Sequence, residues 1–231
     1  MRDESRTTAL VAVLIAWKLV APRLPARWNP LPQAVFGTSV ALLTRAPLGL
    51  SPPALWQGLR WGGVAAAPVL LAVACGTAIP QVRDGMAARA LPTPAARWLL
   101  LRIPFGTVWS EEVAYRAALG TIAGRAFGGV AGRVFTAAVF GASHVPDARA
   151  AGESVPGTVL VSGAAGWVFS WLFAKSRSLA APMLAHLAVN EAGAIAALAV
   201  QRRQDGARSR RRSERARPDR AARSSGRRSR S

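Results

Sequence analysis

Glu111, Glu112 and Arg116 stand in the stretch WSEEVAYRAAL, residues 109 to 119, with apolar sequence on either side. An ionisable group at the middle of a membrane helix costs about 2.5 to 3.5 kcal/mol on insertion scales, so these three must face a bundle interior or an aqueous cavity. Glu112 and Arg116 are four apart, share a helix face and can pair as ions. Glu111 is rotated about 100° from that face and needs another partner. The two histidines of the chain are candidates. His144 ends FGASH, with Phe140 one turn before it on the same face, and His186 opens HLAVN, with Asn190 one turn after it. Three separate apolar segments thus each offer a polar face, and those faces can meet only inside a bundle. A carboxylate, two imidazoles and an amide would then line one pocket, with proton transfer and polar binding as the available chemistry.

Each residue alone has a plainer reading. Glu112 and Arg116 make sense as a structural ion pair. A single membrane His or Asn is often a helix–helix hydrogen-bonding residue, and Glu111 alone would suit the proton relay of a transporter. The three motifs together are harder to explain by packing, which favours a functional site. Glu191 lies about 100° around from Asn190 and could turn toward the pocket or away from it. Lys18 is near the end of its apolar run, where its ammonium is expected to snorkel to the membrane interface.

The elements that must position these groups read as membrane helices. Apolar runs cover Thr8 to Ala21, Leu31 to Leu43, Gly62 to Ile79 with Pro68 inside, Ala95 to Leu119, Gly128 to Val145, Gly157 to Ala174 and Leu179 to Val200. A bilayer core takes about 20 such residues, and Leu31 to Leu43 is short for one. The first run could be a secretory signal, but Lys18 interrupts it and Asp3 and Glu4 dilute its basic start, so an uncleaved helix is preferred. Between Gln81 and Pro94 the chain is polar. Most runs lack the charged outer face of a soluble amphipathic helix. The fold class expected is all-α, a polytopic membrane bundle of six to seven transmembrane helices, with eight as the upper count.

Charge divides the chain further. The 231 residues carry 30 Lys and Arg against 11 Asp and Glu, yet mean hydropathy is +0.22. Residues 202–231 alone hold 13 Arg and 3 acids. The organisation expected is N-terminal membrane helices over 1–94, a core carrying the motifs over 95–201 and an Arg-rich tail over 202–231. The tail cannot build a core and is expected to be disordered. It has no aromatic residue to stack on bases, so no nucleic-acid partner is expected, and anionic lipid head groups suit it better. The positive-inside rule puts that tail in the cytoplasm of a multi-pass protein of the plasma membrane. Cys75, the sole cysteine, excludes an intrachain disulfide and any cysteine-based zinc cluster.

The ordered trio EEVAYR, FGASH and HLAVN resembles the EExxxR, FxxxH and HxxxN/D motifs of the CPBP family, the CAAX-protease and bacteriocin-processing (Abi) intramembrane endopeptidases. The resemblance covers about residues 95 to 200. It implies hydrolysis of a peptide bond in a membrane-associated peptide or protein. By that resemblance Glu111 and His144 would activate the attacking water, His186 and Asn190 would stabilise the oxyanion, and Glu112, Arg116 and Phe140 would support them. The family is often labelled metalloprotease. Glu111, His144 and His186 would make a two-His, one-carboxylate set for Zn2+, whereas a metal-free glutamate mechanism would use the same residues.

Three rival readings use some of the same residues. A proton-coupled transporter would relay protons through Glu111 and the histidines, but carriers often carry two related halves and no internal repeat is visible. A rhomboid-like serine protease would need a nucleophilic Ser in a GxSG setting, and GASH lacks the last Gly. A catalytically dead scaffold would not need the motifs intact.

Overall fold

The computed structural model describes residues 2–25 and 28–225, and every regular element among them is helical, as the sequence leads one to expect. Helix α1 spans Arg2–Val20, α2 Leu31–Thr44, α3 Ala54–Gly76, α4 Pro80–Ala88 and α5 Ala95–Arg97. Two π-helical stretches follow, Trp98–Trp109 and Glu112–Leu119, with Ser110 and Glu111 α-wound between them. Then come α6 (Gly120–Phe127), α7 (Gly129–Ala142), α8 (Val145–Ala151), α9 (Val155–Ser176) and α10 (Ala180–Ser225).

Among the described residues four helical segments are long and apolar enough to cross a membrane, Asp3–Arg23, Ala54–Gly76, Val155–Ser176 and Ala180–Arg210. Leu31–Thr44 is apolar but shorter. α7, at 14 residues, and the stretch over 95–119, wound largely as π-helix, are expected spans that do not join these four. Large apolar side chains such as Leu43, Leu71, Leu160 and Val161 are exposed, as befits surfaces that meet lipid.

The tail departs from expectation. Residues 202–225 continue α10 instead of being disordered. Extending a helix already nucleated needs only one more hydrogen bond per residue fixed, and Arg and Ala are good helix formers. Residues 226–231 lie outside the described residues.

The chain divides into two compact units, 1–71 with 92–191, and 72–91 with 192–231. Within the second, Gln201 Nε2 donates to the Met86 and Arg89 carbonyls at 3.0 and 2.7 Å, tying α10 to the end of α4. The first unit holds every motif residue. Its core joins Leu10 and Leu14 of α1, Val40 of α2, Tyr115 and Leu119 of the second π stretch, Ile122 of α6 and Phe140 of α7.

Close backbone approaches fix the motif helices. A Cβ on Gly37 would stand 2.7 Å from the Ser110 carbonyl, so α2 lies directly against the turn that carries Glu111. A Cβ on Gly141 would fall 2.6 Å from the Val159 carbonyl, so α7 and α9 cross at near contact three residues before His144. Trp109 Nε1 also donates to Thr38 Oγ1 at 2.9 Å. The small residues of α9 face this crossing, while Trp167 and Trp171 are exposed on its other side.

Candidate active site

The two neighbouring carboxylates meet different surroundings. Glu112 points into the packed interior and is fully buried with Arg116. Arg116 Nε lies 3.1 Å from Glu112 Oε2, and Nη2 donates to Oε1 at 3.2 Å, so the ion pair expected from the spacing is formed. The guanidinium sits over the Phe140 ring at 4.0 Å and the Phe169 ring at 5.3 Å. Such a desolvated cation gains both ring attraction and its counter-ion.

His186 joins the same cluster. Its Nδ1 lies 2.8 Å from Glu112 Oε1, and its ring stacks on Phe169 at 4.9 Å with 24° between planes. A carboxylate can only accept, so Nδ1 carries the proton and Nε2 is the nitrogen left for the cavity. His144, at the corner between α7 and α8, is fixed the same way. Its Nδ1 donates to the Phe140 carbonyl at 2.8 Å, and Phe140 meets the ring edge-on at 4.7 Å.

Glu111 faces the other way, into a cavity of about 500 Å³. His144, His186 and Asn190 line this same cavity, so the acid, both imidazoles and the amide from three segments meet at one hollow. Asn190 Nδ2 is buried and unpartnered among the described residues, a donor with nothing yet to bind. Glu191 is not part of the wall.

Three wall residues escaped the sequence reading. Lys18 does not snorkel outward, because its Nζ pairs with Glu111 Oε1 at 2.7 Å and approaches Asp147 Oδ2 at 3.8 Å. The signal was available, since Leu10, Leu14 and Lys18 repeat every four residues on one helix face and both leucines are buried. Asp147 follows His144 by three residues. Tyr115, one turn after Glu111, is buried and lines the cavity. Residues of the connector after α1, among them Pro22 and Leu24, and the aromatic pair Trp17 and Phe36, stacked at 4.4 Å, also line the wall.

Zinc does not fit this arrangement. Both histidines leave Nε2 free, as metal-bound imidazoles do. Yet among the described residues no three His, Cys, Asp or Glu side chains are grouped to hold a metal, and Glu111 Oε1 is taken by Lys18.

Residues 93–192 match the family model described as type II CAAX prenyl endopeptidase Rce1-like. No curated protein matches the chain. No solved structure matches it either. The match spans all three motifs and gives no support to a transporter. The segment that carries the cavity's acid, imidazoles and amide is thus similar to the Rce1-like type II CAAX prenyl endopeptidases, the group whose motifs the sequence resembles.

Proposed function

We propose that this protein is an intramembrane endopeptidase that cleaves a membrane-associated peptide or protein by a glutamate-driven attack of water. The observation that carries the proposal is the convergence of Glu111, His144, His186 and Asn190 on one cavity. In this reading water sits between the Glu111 carboxylate and His144 Nε2, whose lone pair is presented because Nδ1–H is tied to the Phe140 carbonyl. Proton transfer from that water as it attacks the scissile carbonyl is worth roughly 10²- to 10⁴-fold in rate. The new C–O bond leaves an oxyanion, which receives hydrogen bonds from Asn190 Nδ2 and from Nε2 of a protonated His186. Glu112 serves that imidazolium as counter-ion. The proton taken by Glu111 passes to the departing amine as the C–N bond breaks.

Phe140 and the Glu112–Arg116 pair hold the imidazoles and the motif helix in place. Six to seven helices within the bilayer, a plasma-membrane location and a cytoplasmic C-terminus belong to the same proposal. So does attraction of the basic end of α10 to anionic lipids.

The test is cleavage of an internally quenched farnesylated CAAX peptide by the full chain in detergent micelles. Wild-type protein is expected to cleave it, and Glu111→Ala and His144→Ala to be inactive while eluting as folded protein. Full activity in both variants would end the reading.

A further inference from the structure

Lys18 lies outside the matched segment, on a helix that carries none of the three motifs, yet it makes the shortest polar contact of the candidate base. Its position is fixed from below. Leu14, one turn earlier on the same face, is buried in the core beside Tyr115 and Phe140. The ammonium reaches Glu111 at 2.7 Å and Asp147 at 3.8 Å, so it bridges the segment of the acid and the segment just after His144. Its side chain is only 20% exposed. An exposed pair would be worth little, but a pair held in a cavity wall sets geometry.

We infer that Lys18 is a positioning residue of the hydrolytic site: by holding Oε1 of Glu111 it leaves Oε2 as the oxygen that meets water. An ammonium is a compact charge that engages one oxygen at a time, whereas a guanidinium takes both oxygens of a carboxylate. The choice of lysine at this point therefore matters chemically. A plain tether for α1 would be served equally by either cation.

This inference rests on the endopeptidase reading and is tested with the same farnesylated peptide and the full chain in micelles. Lys18→Met is expected to lower kcat about 10²-fold with KM unchanged, as for a misplaced catalytic group. Lys18→Arg keeps charge and tether, so it is expected to fold with an unaltered melting temperature and still turn over several-fold more slowly. In a Cys75→Ala background, Lys18→Cys is expected to be as slow as Lys18→Met. Alkylation with 2-bromoethylamine, which rebuilds an ammonium at nearly lysine's length, should restore its rate. Wild-type kcat in Lys18→Met, or in Lys18→Arg should Lys18→Met not fold, overturns the inference and leaves the endopeptidase reading standing. Wild-type protein that cleaves nothing overturns both.

Discussion

The packed interior around Glu112 and the hollow around Glu111 begin one residue apart on the same segment. On the Glu112 side, arginine, imidazole and two aromatic rings fill the space, and the carboxylate is sealed from solvent. On the Glu111 side, one lysine holds one oxygen and about 500 Å³ stays open in front of it. Identical side chains thus acquire different work from their neighbours. A buried charge surrounded by partners contributes order, and one beside open space is available to react.

That contrast can be broken in four ways. The largest expected effect is on Glu111. Glu111→Gln should lower kcat by about 10²- to 10⁴-fold, with little change in thermal unfolding, because Lys18 keeps Asp147 nearby. Glu112→Gln should do the reverse. It strands the Arg116 charge in a sealed site, which destabilises by about 3 to 5 kcal/mol, read as a lower melting temperature in detergent. Should Glu111→Gln unfold the protein and Glu112→Gln leave it intact, the assignment of roles is inverted. Asn190→Ala comes next, with kcat reduced about 10²- to 10³-fold for loss of one oxyanion donor and unfolding unmoved. Its Nδ2 has no partner to lose among the described residues. The smallest effect expected is none at all. A strong chelator such as 1,10-phenanthroline should leave cleavage unchanged, and inhibition reversed by added Zn2+ would place a metal in front of Glu111 and replace the water-activation scheme.

Much of this contrast could be read without coordinates. Ionisable residues are so costly in apolar runs that Glu111, Glu112, Arg116 and both histidines announce themselves, and a spacing of four is enough to pair Glu112 with Arg116. Two things could not be read, and two were readable but misjudged. The partner of His186 lies 74 positions away, and only the fold says that its Nδ1 meets Glu112 rather than Glu111. The π-winding on both sides of Glu111 alters which residues share a face, and it shortens the runs that would count as spans. Lys18 was misjudged by its distance from a helix end, when the leucines below it already marked the inward stripe. The last helix was misjudged on composition alone, which says nothing of a helix arriving from upstream to be extended.

The stacked pair of Trp17 and Phe36 has a consequence for anyone designing small molecules against this protein. The groups at the floor of the hollow come from the stretch matched by the family, whereas this flat aromatic shelf comes from residues before it. A compound that merely caps the two imidazoles would address only groups inside the matched stretch. One extended sideways to lie along the indole would gain affinity from a surface outside that stretch.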